Sequence, residues 1–378
     1  MSKLKFLTKR RIEAAIFLLI FFGFFGGVGR IMGVPNMMNT LMKTSHDLLL
    51  NTVFYLMGIT VLTGALSKLF VEFGVVRLLE TLLRPLMKPL YNLPGVAALG
   101  GVMTFLSDNP AIISLSKDSN FSHYFKKYQL ISLTNFGTAF GMGLVVIVFM
   151  ASMGYGTAAI VGLIGSFAGS IVSTRLMQRS LLKNHPELND EVQGGNEQEI
   201  SFKSEGNVFL RVLNSLLDGG KSGVELGLAI IPGVLIISSV VMMLTFGAGA
   251  NGYDGSAYQG VGLLPYLAAK VDFIFKWLFG FTNPELIAFP ITSLGAVGAA
   301  LSLVPKFQAS GLIDGNAIAV FTAMGMCWSG YLSTHTAMMD SLGFRHLTSK
   351  AIVAHTIGGL VAGIVAHWAY VLYALALL

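Results

Sequence analysis

Long apolar runs separated by short polar breaks set the layout of this chain. Seven runs of mostly apolar residues cover 12–32, 48–70, 128–153, 156–176, 222–246, 315–338 and 350–377. A helix of about 20 residues crosses a bilayer, so each run predicts one membrane span. Two further regions are apolar but interrupted. The region 94–121 is broken at Ser107, Asp108, Asn109 and Pro110, and 283–307 is broken by Pro284, Pro290, Gly295, Gly298 and Pro305. A broken helix at membrane depth is tolerated only where it lines protein or a water-filled cavity. Both regions are therefore expected to be re-entrant helical hairpins.

Two stretches change period. In 71–92, Leu78, Leu79, Leu82, Leu83, Leu86 and Leu90 recur at helical spacing, with Arg77, Glu80, Arg84 and Lys88 largely on the other side. The region 263–281 repeats the pattern, and Glu80/Arg84 and Asp272/Lys276 both stand at the favourable i,i+4 spacing. These read as interfacial amphipathic helices. Residues 207–217 form a second short amphipathic stretch, 35–47 read as a short connection, and 179–206 as a hydrophilic linker.

Composition agrees. The 378 residues are 54% hydrophobic and 12% charged, with a mean hydropathy of +0.70, against about 25% charged in soluble domains. This is the composition of an all-α polytopic membrane protein. The single Cys327 excludes a disulfide framework within the chain. With an N-terminus inside, 20 of the 25 Lys and Arg residues fall on the cytoplasmic side, as the positive-inside rule requires. The expected setting is a bacterial inner membrane, with the C-terminus outside.

The order of elements occurs twice: span, interfacial helix, broken hairpin, span, span. TAFGMG at 138–143 answers TAMGMC at 322–327, and GSFAGSIV at 165–172 answers GLVAGIVA at 359–366. The expected division is an N-terminal span and connection (1–47), repeat one (48–178), the linker (179–206) and repeat two (207–378). On the orientation above, the hairpins enter from opposite faces, which makes the repeats inverted, a common transporter plan.

Candidate chemistry gathers at the breaks. A carboxylate at membrane depth is a functional hypothesis by default. Asp108, with Ser107 and Asn109, is expected to hold Na⁺ or a proton together with freed backbone carbonyls. The alternative is that Asp108 caps the helix starting at Pro110. Asn135 and Thr138 share a face of span three and offer amide and hydroxyl contacts, or else interhelical hydrogen bonds. Asn283, Glu285, Thr292 and Ser293 belong to hairpin two, with Glu285 at its mouth and Thr292 and Ser293 nearer its tip. In span six, Ser329, Ser333, Thr334 and His335 make a polar run, and His335 is a proton-relay candidate or a structural residue. No metal-ligand spacing, nucleophile motif or cofactor signature occurs.

SDNPAI and FTNPELIAFP, each followed by a Gly/Thr-rich span (TNFGTAFGMG and FTAMGMCWSG), resemble the Gate-domain, or nucleoside-recognition domain, membrane proteins. The resemblance covers most of the chain from about residue 48 onward. Through that family the chain is similar to the concentrative nucleoside transporters and the spore maturation membrane proteins. The resemblance implies an inverted-repeat core whose hairpins meet near the midplane. No pair of hairpin-tip glutamates matches the nucleoside transporters, which counts against nucleoside as the cargo. The expected function is an ion-coupled secondary transporter of a small polar or anionic solute, in contact with lipid, not with nucleic acid, and compatible with a homo-oligomer. The alternative is a non-transporting component of a membrane complex.

Overall fold

The computed structural model describes residues 8–192 and 207–377. Lys3 and Lys5 of the basic N-terminus, and the second half of the hydrophilic linker (193–206), lie outside those residues. Among the described residues all regular structure is helical. The runs Lys9–Met32, Val34–Glu72, Lys127–Asn184, Val208–Thr245 and Arg345–Leu375 are long and apolar enough to cross a membrane. The third, of 58 residues, doubles back at Gly154 (φ 93°): the Gln178 side chain reaches Ser132 and Asn135 reaches Ser173. It thus supplies spans three and four. Span six is split into Gly315–Cys327 and Tyr331–Ser341, neither half long enough to cross alone. The chain is a multi-pass helical membrane protein.

Two expected boundaries are corrected. Residues 35–47 are not a connection but the first turns of span two, which runs through Val34–Glu72. Gly33 (φ 81°) makes the corner after span one, and Pro35 sits in the first turn, where its missing N–H costs nothing. The polar residues that made this segment read as a loop face a real loop. Thr40 donates to the Ser256 carbonyl (2.9 Å), Thr44 accepts from the Tyr258 amide (2.8 Å), and Asp47 accepts from the Tyr258 hydroxyl. Likewise 207–217 is not a separate amphipathic piece but the start of span five, Val208–Thr245. Asn207 caps it by accepting from the Leu210 amide. Gly219 and Gly223 do not break the helix, because they let span two approach. A Cβ at either would run into the backbone around Thr60 and Gly64, and Thr60 donates to the Gly223 carbonyl across this contact (2.7 Å).

Both amphipathic stretches are helical. Val75–Leu86 carries the Glu80–Arg84 ion pair at 2.6 Å, and Asp272–Phe279 the Asp272–Lys276 pair at 2.6 Å. Both broken regions fold as hairpins. Hairpin one has arms Ala97–Leu106 and Pro110–Lys117; hairpin two has arms Ala288–Gly295 and Val297–Leu301. The matched strings GSFAGSIV and GLVAGIVA pack on each other, with Gly165 against Ala362 and Gly169 against Gly358 and Ala362. Small residues at such spacing let membrane helices pack closely.

Candidate functional site

Span three is interrupted between Lys127–Thr138 and Gly143–Met150, and Met142 takes a left-handed conformation (φ 53°). Span six is interrupted between Cys327 and Tyr331, where Gly330 does the same (φ 61°). The tip of each hairpin points at these breaks. Gly141, in the span-three break, has no side chain where a Cβ would collide with the Asn109 side-chain oxygen and with Ser329. The glycine thus makes room for hairpin one.

The two tips and the two breaks border one cavity of about 280 Å³. Hairpin one supplies Asp108 and Asn109, hairpin two supplies residues 295–298, and the breaks supply Met142, Ser329 and Gly330. Ser333 and Thr334, on the first turn after the span-six break, and Gly233 and Ile237 of span five complete the wall. Asn109 ties hairpin one to span six: its amide nitrogen donates to the Ser329 carbonyl (2.5 Å) and the Thr334 hydroxyl (3.1 Å). Hairpin two is tied to the same turn, the Gly330 amide donating to the Ser293 carbonyl (3.2 Å). Span five is π-helical over Gly233–Ser238, directly after Pro232, which lacks the N–H an α-helix would use there. Local π-turns of this kind are frequent at functional sites.

The chemistry of the cavity is that of unfilled oxygens. Asp108 Oδ1 and Asn109 Oδ1 are buried and have no hydrogen-bond partner among the described residues. The Asp108 side chain does not cap the second arm: Asn109 is the cap position, and no side-chain capping bond forms. Two orphaned oxygens, one from a carboxylate, beside backbone carbonyls freed by broken helices, suit a cation or a proton donor.

The twelve sequence-predicted residues divide. Asp108, Asn109, Ser329 and Thr334 line this cavity. Ser107 lines an adjoining cavity of about 370 Å³ with Thr60, Thr63, Ser67, Lys68 and Ser222. The others are elsewhere. Asn135 is fully buried between helices, donating to Ser173 (3.0 Å) and the Ala351 carbonyl (2.9 Å). Thr138 is buried one turn further along and outside the cavity lining. Thr292 and Ser293 turn their hydroxyls back to the carbonyls of Ala288 and Pro290. Asn283 holds the Leu312 carbonyl at the mouth of hairpin two (3.1 Å), and Glu285 stands in the same turn. His335 is buried against His355, ring centroids 4.5 Å apart. Met142, Gly233 and Gly330 line the site without being singled out from sequence. Pro232 and the glycines flanking the breaks are the signals that could have found them.

No protein-family profile matches the chain, and no curated protein does. Solved structures do. One of CNTnw in an inward-facing substrate-bound state superposes with a TM-score of 0.56 at 14% identity, over 95% of this chain and 84% of that one. One of a double variant of CNTnw in an outward-facing state gives 0.53 at 13% identity, over 96% and 85%. A third, in an intermediate state, gives 0.53 at 14% identity, over 94% and 85%. The chain therefore has the fold of these concentrative nucleoside transporter structures.

Proposed function

We propose that the chain is an ion-coupled secondary transporter of a small polar or anionic solute, with Asp108 and Asn109 at the heart of its binding site. The observation that carries this reading is the pair of buried, unpartnered oxygens, Asp108 Oδ1 and Asn109 Oδ1, in a cavity bordered by both hairpin tips and both helix breaks. An intramembrane carboxylate is costly and is retained where it binds or moves charge. The coupling ion is Na⁺ or a proton.

Alternating access fits the same parts. The two halves repeat the order of interfacial helix, hairpin and interrupted span. The charge asymmetry along the sequence makes them inverted, so that one moves against the other around the cavity. The fold neighbours have been captured in inward-facing, intermediate and outward-facing states. The adjoining cavity supports a route on one side. It shares Leu226 with the tip cavity and reaches Lys68, a residue that the charge asymmetry places on the cytoplasmic side. Thr60, Thr63, Ser67 and Ser222 border that route; each donates its hydroxyl to a backbone carbonyl and leaves its oxygen as an acceptor.

A thermal-shift screen of nucleosides, amino acids and small carboxylates, run with and without Na⁺ and at several pH values, tests the reading. A ligand that binds the native state raises its apparent stability. The expected result is a solute whose stabilisation depends on Na⁺ or pH and vanishes in Asp108→Ala. Stabilisation by a solute that is unchanged in Asp108→Ala would remove Asp108 from the site.

A further inference from the structure

A second cavity, of about 140 Å³, lies behind hairpin one and away from the site above. Its walls come from four elements: Leu79, Leu83 and Met87 of the interfacial helix, Val102 of hairpin one, Phe140 after the first half of span three, and Phe167 of span four. The lining is apolar throughout. Even Tyr91, which borders it, has its hydroxyl engaged by Ser170 (3.1 Å). Phe167 and neighbouring Ile164 are 37% and 54% exposed, which places the cavity beside the lipid-facing surface of span four. Leu79 and Leu83 of the interfacial helix, and Met87 at the start of the π-helical turn that continues it, stand at i,i+4 spacing. Each is followed directly by a charged residue, giving a parallel row of Glu80, Arg84 and Lys88. Arg84 and Lys88 are exposed, Arg84 while also paired with Glu80 at 2.6 Å. A slot for hydrocarbon thus lies alongside two cations on a helix at the membrane surface.

We propose that this cavity holds a short segment of one acyl chain of an anionic phospholipid, with its headgroup against Arg84 and Lys88. Inside a bilayer the hydrophobic effect does not favour the slot over bulk lipid, since both are apolar. The chain is retained because an empty slot forfeits dispersion contacts on every wall. The choice among lipids falls to the headgroup, where each basic residue near an anionic surface contributes about a fivefold preference. Hairpin one forms one wall, so the bound chain is a wedge against its outer face.

The test is lipid retention. The full-length protein is reconstituted in equimolar phosphatidylcholine and phosphatidylglycerol, extracted in mild detergent and examined by native mass spectrometry. The wild type is expected to retain one phosphatidylglycerol, enriched at least fivefold over phosphatidylcholine. Val102→Phe, which fills the slot, is expected to lose the bound lipid, and Ala98→Leu, a gentler filling of the same wall, to lose most of it; monodispersity confirms folding of each. Arg84→Gln with Lys88→Gln is expected to keep a lipid but lose the headgroup preference. A wild type that retains no lipid, or both lipids equally, would overturn the proposal. So would a well-folded Ala98→Leu protein with undiminished retention. None of these results depends on the transport reading, because the slot and the hairpin-tip cavity share no residue.

Discussion

At the scale of single residues, Asp108 and Asn109 were legible because a short polar run between two apolar ones has few places to go in a membrane. Asn135, Thr138 and His335 were not separable in the same way. They sit on helices surrounded by protein on all sides, so their residue type announces burial without saying whether a cavity or a neighbouring helix receives the side chain. The structure assigns Asn135 to its neighbours Ser173 and Ala351. This yields a contrast. Asn109→Ala leaves the Ser329 carbonyl without its donor and is expected to cost about 1–3 kcal/mol of stability, together with any response to Na⁺ or pH. Asn135→Ala is expected to cost a similar amount, about 1–3 kcal/mol, and to leave the response intact. Thermal unfolding in detergent, with and without Na⁺ and across pH, measures both.

At the scale of elements, periodicity identified the long apolar helices, the two amphipathic stretches and the two hairpins, and misplaced two boundaries. Both errors have one cause. Thr40 and Thr44, and Gly219 and Gly223, look like breaks when read locally, but each meets a partner far along the chain. A polar or glycine residue weakens a helix only when nothing else uses it. Gly223→Val places a branched side chain against the span-two backbone around Thr60. The expected loss exceeds the roughly 1–3 kcal/mol typical of core overpacking, since backbone cannot move aside as a side chain does. A comparison with Gly220→Val, where a Cβ meets only the tip of Val61 at 3.8 Å, isolates that contact. By contrast, Arg84→Ala breaks an exposed i,i+4 pair and is expected to change stability by less than about 1 kcal/mol.

At the scale of the whole molecule, the internal repeat was visible as an order of elements and as two matched strings, and the fold gives one of those matches a physical meaning. GSFAGSIV and GLVAGIVA resemble each other and also pack on each other, as two copies of one helix meeting across an axis would. Hairpin orientation is the part carried by charge alone. It predicts that a cysteine at Glu187 is labelled from the cytoplasmic face and one at Ser310 from the opposite face, both in a Cys327→Ala background. Labelling of the two from the same face would rule out the inverted arrangement.

The whole account rests on the cavity between the hairpin tips binding a cation through Asp108. Ser333 lines that cavity and is exposed, so a cysteine there, with Cys327→Ala, reports on it directly. In proteoliposomes, the rate at which Ser333→Cys reacts with a water-soluble thiol reagent is predicted to change when Na⁺ replaces choline or when the pH is lowered. That change is predicted to disappear when Asp108→Ala is added. A rate indifferent to both ions, or one that responds equally without the carboxylate, would contradict the account.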